Sequence, residues 1–124
     1  MRADAQSRRI LTLVKKSIDD DKGQDVVVID LRGRTSLTDF MVIATGTSSR
    51  HLAAMAEHLR ERLKAAGMGP VGIEGLGQCD WVLIDARDVV IHLFRPEVRK
   101  LYHLEKMWGT EFAEPGSEAD RLAL

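Results

Sequence analysis

The chain has 124 residues and a mass of 13.8 kDa, with 18 basic and 19 acidic side chains, which fits one domain and not two. Near-neutral charge removes the dense positive field that non-specific nucleic-acid binding needs, and equally the acidic excess of a solvating disordered tail. Cys79 is the single cysteine, so an intrachain disulfide is excluded, a cysteine-based zinc site is disfavoured and a reducing compartment is expected.

Met1-Arg2-Ala3-Asp4-Ala5-Gln6 has no apolar signal core, and no stretch approaches the roughly 18 apolar residues of a membrane span. A cytoplasmic protein with no membrane partner is expected. Between residues 4 and 21, Ile10, Leu11, Val14 and Ile18 recur at helical spacing, with Arg8, Arg9, Lys15 and Lys16 mostly off that stripe. This predicts an amphipathic helix whose acidic end, Asp19-Asp20-Asp21, opposes the helix dipole, so packing must hold it. Lys22-Gly23 ends it.

Val26-Val27-Val28-Ile29 and Phe40-Met41-Val42-Ile43-Ala44 read as strands covered on both faces, separated by the turn-rich Arg32-Gly33-Arg34-Thr35-Ser36. Thr45-Gly46-Thr47-Ser48-Ser49 then leads into a helix with Leu52, Met55, Leu59 and Leu63 on one face, closed by Ala66-Gly67. Val71-Gly72-Ile73-Glu74 is a weaker strand. Residues 81–86 and 89–94 are strong apolar runs whose short connection at Arg87-Asp88 forces an antiparallel hairpin. Pro96 suits a first helical turn, and Val98, Leu101, Tyr102, Glu105 and Trp108 repeat at helical spacing towards Gly109.

The order α-β-β-α-β-β-β-α predicts an α/β single domain, a mixed β-sheet of about five strands with flanking helices. The domain is expected over residues 1–109. A flexible C-terminal tail is expected over residues 110–124, where Glu114-Pro115-Gly116-Ser117-Glu118 is polar and rich in breakers.

Several kinds of chemistry are testable by spacing. Gly46-Thr47-Ser48 between strand and helix could cradle a phosphate. Neither the later Gly-Lys-Ser/Thr of a P-loop nor the further glycines of a dinucleotide site follow, so a hydroxyl helix cap is the favoured reading. Arg50 stands where a nucleophile elbow needs glycine. A nucleotidyltransferase needs paired acids on the strand after its Gly-Ser turn, and Glu74 stands alone there. His51 and His58 lie about 10 Å apart along a helix, too far to share a metal, and His92 reads as a strand residue satisfied by a neighbour. No metal, no cofactor and no catalysis are expected. The basic residues of the first helix are interspersed with acids and lack an aromatic platform, which argues against direct sequence-specific nucleic-acid contact.

Trp81 is the more informative residue. Alternation along the strand puts Trp81, Leu83 and Asp85 on one face and Val82 and Ile84 on the other. A tryptophan here is either core under a helix or an anchor for a partner, flanked by Asp80, Glu74 and the loop Gly75-Leu76-Gly77-Gln78. Tyr102 and Trp108 divide the same way, with core favoured for Trp108.

Four blocks in fixed order carry a resemblance: Phe40-Met41-Val42-Ile43-Ala44-Thr45-Gly46-Thr47-Ser48-Ser49-Arg50-His51; Asp80-Trp81-Val82-Leu83-Ile84-Asp85; Asp88-Val89-Val90-Ile91-His92-Leu93-Phe94; and Leu104-Glu105-Lys106-Met107-Trp108. Over residues 24–108 the chain resembles the ribosomal silencing factor, or Iojap-like, family. The resemblance implies a degenerate nucleotidyltransferase-like fold without the acidic pair. It further implies a non-enzymatic repressor that binds ribosomal protein fourteen of the large ribosomal subunit and sterically blocks joining of the two subunits when nutrients are limiting.

The tryptophan of the family's Asp-Trp pair matters for that contact and falls on Trp81, with Asp80, Leu83, Glu74, Asp85 and Tyr102 completing the expected partner-binding set. An interface of about 800 Å² per partner is expected. The departure is Ala86-Arg87, where the family often carries an aromatic and a glycine; arginine is not expected to take the positive φ that glycine allows. The alternative of another class is a nucleotide-binding transferase using Gly46, Thr47 and Ser48. Whether the chain pairs into a homodimer is left open by these residues.

Overall fold

The computed structural model describes residues 2–68 and 70–102, with side chains described over residues 5–68 and 70–99. The first helix, α1 (Arg2–Asp20), buries the predicted stripe of Ile10, Leu11, Val14 and Ile18. Its acidic end is held by more than packing. Asp21 accepts from Arg62 at 3.4 Å and lies 2.8 Å from His58 Nδ1, while Arg62 also donates to the Ser17 carbonyl and hydroxyl oxygens. The Arg62 guanidinium of the second helix thus answers a charge that would otherwise oppose the α1 dipole.

The strands are β1 (Gln24–Asp30), β2 (Phe40–Thr45), β3 (Gly72–Glu74), β4 (Trp81–Asp85) and β5 (Val89–Phe94), and between β2 and β3 lies α2 (Ser49–Ala65). Ser48 caps α2 by accepting the His51 N–H, and Gly67 at φ +80° follows the Ala66 C-cap. The buried face of α2 is Leu52, Met55, Ala56, Leu59 and Leu63. Each of the wholly buried leucines contributes about 1.5–3 kcal/mol relative to an exposed one.

These strands form one five-stranded mixed sheet in the order β1-β2-β5-β4-β3. β1 runs antiparallel to β2, β2 parallel to β5, and β5, β4 and β3 antiparallel in succession. Alternation then sorts the side chains. Phe40, Val42 and Ala44 of β2, Val89, Ile91 and Leu93 of β5, and Val82 and Ile84 of β4 meet α1 and α2 in the main core. The opposite face carries a smaller cluster of Val27, Ile29, Leu31, Ile43 and Phe94, against which Met41, Trp81 and Val98 pack.

Val98 belongs to the last described helix, α3 (Pro96–Tyr102), which begins at Pro96 as predicted. Arg99, buried, ties α3 to the sheet by donating to Thr45 Oγ1 at 2.7 Å and to the Asp25 carbonyl oxygen. The expected continuation of this helix to Gly109, with Trp108, and the tail over residues 110–124 lie outside the described residues. The element order and the mixed sheet are those expected, with β3 starting one residue later and β4 ending at Asp85.

Candidate partner-binding face

The second sheet face is set by register. Across β4 and β5, Trp81 sits opposite Phe94, Leu83 opposite His92 and Asp85 opposite Val90. The parallel pairing of β5 with β2 brings Val90 beside Met41 and His92 beside Ile43, and β3 places Glu74 beside Leu83. Trp81, Leu83, Val90 and Met41 are all half-buried, forming an apolar strip rimmed by exposed Glu74 and Asp85. Trp81 is therefore neither sealed core nor a free side chain.

Its body is well supported. The indole lies 5.0 Å from the Phe94 ring and 5.8 Å from the His92 ring, centroid to centroid, and its Nε1 donates to His92 Nδ1 at 3.0 Å. His92 is 8% exposed, and burial pushes its pKa down to about 4, so the imidazole is neutral at neutral pH. An indole N–H only donates, which places the imidazole hydrogen on Nε2.

The loop over residues 75–80 shapes the flank of the indole. Gly75 adopts φ +94°, and a Cβ there would stand 2.1 Å from the Trp81 carbonyl oxygen, so glycine alone lets the loop pass this close. Cys79, also at positive φ, donates its N–H to the Gly75 carbonyl and its thiol to the Leu76 carbonyl. The result is an open recess of about 480 Å³ beside the indole, lined by Gly75, Gly77, Gln78, Asp80 and Trp81.

The three acids of the expected set differ in what they are free to do. Asp80 is ion-paired with Arg95 at 2.6 Å, and Arg95 also reaches Glu97 at 3.0 Å. Asp85 Oδ1 accepts the Arg87 N–H at 2.9 Å and so serves the hairpin turn. Glu74 is exposed beside Leu83 and is the best placed to meet a basic group. The Tyr102 side chain lies outside the described residues.

Arg87 corrects an expectation. It adopts φ +67°, the left-handed conformation that arginine was not expected to take. The Asp85 carboxylate bonded to its N–H and the ladder bond from Ala86 N–H to the Val89 carbonyl hold it there.

His92, Met41 and Val90 join Trp81 on this face beyond the expected set. Alternation within β2 and β5 contained that signal: the antiparallel β4/β5 pairing brings Val90 to β4, and the parallel β2/β5 register, which no short connection announces, brings Met41 beside it.

The turn before α2 has the geometry of a cap. Ser48 Oγ accepts the His51 N–H at 3.1 Å, His51 Nδ1 accepts the Thr47 N–H at 2.9 Å, and His51 Nε2 reaches the Asp21 carbonyl at 2.7 Å. The Thr47 and His51 N–H groups that an anion would use are thus engaged within the chain. Among the described residues no group of three or more His, Cys, Asp or Glu is arranged to hold a metal ion, and no helix is long and apolar enough to cross a membrane.

Residues 4–123 match the protein family described as ribosomal silencing factor during starvation. The chain is 51% identical over 112 residues to the ribosomal silencing factor of Zymomonas mobilis, covering 90% of this chain and 80% of that protein. A crystal structure of a Chromobacterium violaceum protein superposes with a TM-score of 0.78 at 40% identity, covering 82% of this chain and 84% of the other. The mouse protein named mitochondrial assembly of ribosomal large subunit protein 1 is 41% identical over 91 residues, which is 71% of this chain and 40% of that protein. With the family match running over residues 4–123 and a relative 51% identical over 112 residues, the chain belongs to the ribosomal silencing factor family.

Proposed function

We propose that this chain represses translation by binding the large ribosomal subunit through its ribosomal protein fourteen, so that its body sterically blocks joining of the small subunit. The observation that carries this reading is the half-buried Trp81, set on the apolar strip of Leu83, Val90 and Met41 and open to a recess at its side. Tryptophan is among the side chains enriched at the few positions that dominate an interface. The name of the mouse relative supports the large subunit as partner.

The protein acts by occupancy, in the cytoplasm, without turnover or cofactor. A partner side chain enters the recess beside the indole, the apolar strip excludes water, and Glu74 meets a basic group at the rim. A blocker needs residence and bulk, not chemistry. Nothing in this mode requires the Gly46-Thr47-Ser48 turn to bind a nucleotide.

Cosedimentation tests it directly. The purified chain is expected to travel with large subunits and not with small ones, to bind isolated ribosomal protein fourteen, and to slow subunit joining followed by light scattering. Trp81→Glu, which places a charge on the strip, is expected to weaken large-subunit binding at least about a hundredfold. Wild-type binding by a folded Trp81→Glu protein would remove Trp81 from the interface.

A further inference from the structure

An indole on a sheet face docks well only if its rotamer is set before the partner arrives, because ordering a free side chain at an interface weakens binding. Trp81 donates its Nε1–H to Nδ1 of His92, the diagonal neighbour on β5. The His92 ring is itself fixed: it is buried, lies within 9° of parallel to the Phe94 ring, and presents an unprotonated Nδ1 towards the indole. Trp81 thus rests on two buried rings and has its one polar atom satisfied by one of them.

We infer that His92 is a positioning residue for the Trp81 anchor: its neutral imidazole accepts the indole N–H and holds the ring against Phe94 in the orientation the partner meets. The inference rests on Trp81 being the docking side chain, as proposed above, and adds what keeps it ready. Phenylalanine at 92 would fill the space without offering an acceptor. Asparagine would place Oδ1 close to where Nδ1 now stands, and would restore the bond with little of the ring.

Two measurements test this. In isotopically labelled wild-type protein, a nuclear spin coupling between Trp81 Nε1 and His92 Nδ1 across the hydrogen bond is expected; its absence overturns the inference before any ribosome is added. In cosedimentation, His92→Phe is expected to bind large subunits about five- to tenfold more weakly, the worth of one hydrogen bond to a buried group, and His92→Asn to return to within about twofold of wild type.

Wild-type affinity in a folded His92→Phe protein, or equal weakening in His92→Asn, overturns the positioning role. Trp81→Ala separates the two claims. If Trp81→Ala loses binding while His92→Phe keeps it, only the positioning role fails. If Trp81→Ala binds as wild type does, the anchor reading fails and the inference with it.

Discussion

At His92 the burial that presents an acceptor to Trp81 also makes the fold sensitive to acid. In the unfolded chain this histidine titrates near 6.5, whereas in the folded protein its pKa is lowered to about 4. Between those values the unfolded state binds the extra proton, so stability is complete above about pH 6.5 and declines as pH falls towards 4. The loss from this group between pH 7 and pH 5 is about 2 kcal/mol, and urea unfolding at the two pH values is expected to show it. His92→Asn, which does not titrate, is expected to flatten that difference by most of this amount; an unchanged pH dependence would mean that other groups cause it. The chain order alone gave no sign of this coupling, because the acceptor and donor are eleven positions apart and meet only through the β4/β5 register. Trp81 and its face, by contrast, were legible, because a period of two along a short strand needs no long-range information.

At the scale of elements, the β3–β4 loop and the β4–β5 turn fix how β4 is presented, and both contain a left-handed residue at which glycine is favoured. Gly75→Ala forces a Cβ against the Trp81 carbonyl and strains a left-handed residue, at a cost on the order of 2 to 3 kcal/mol. Thermal unfolding should show the destabilisation, and Trp81 fluorescence should shift with the displaced strand. Arg87→Gly relieves a non-glycine residue at φ +67° and is expected to stabilise the hairpin by about 0.5–1 kcal/mol, read as a higher urea midpoint with unchanged slope. A lower midpoint would show that the arginine side chain makes a contact worth more than the strain.

The helices and strong strands were legible because their apolar periods are long or continuous, as in the α2 face of Leu52, Met55, Leu59 and Leu63. The Arg87 conformation was not: propensity argues against it, and a carboxylate two residues earlier overrides propensity by bonding the Arg87 N–H. The pairing of Asp80 with Arg95 was equally hidden, since it depends on where two loop ends meet across β4 and β5.

For the whole molecule, strand order decides which side is left for a partner. α1 and α2 both pack on one face of the β1-β2-β5-β4-β3 sheet, while α3 reaches the other face through Val98 and Arg99, near Ile43 and Thr45. The half-buried strip at Trp81 and Leu83 therefore belongs to the β4 side of that second face. Its charges are few and lie at the rim: Asp80 shares Arg95 with Glu97, Asp85 accepts a turn N–H, Glu74 is exposed, and the chain carries a net charge of −1. Binding carried by such a surface is driven by apolar contact, and its dependence on ionic strength is shallow. A protein gripping ribosomal RNA through six or more phosphate contacts would lose about a thousandfold or more in affinity between 50 and 200 mM salt. Here the expected loss over that range, at constant magnesium and with intact large subunits, is less than about tenfold. A steep slope that survives in Trp81→Glu would transfer the contact to the basic residues of α1 and to RNA; a shallow slope abolished together with binding in Trp81→Glu places it on the β4 face and on a protein of the subunit.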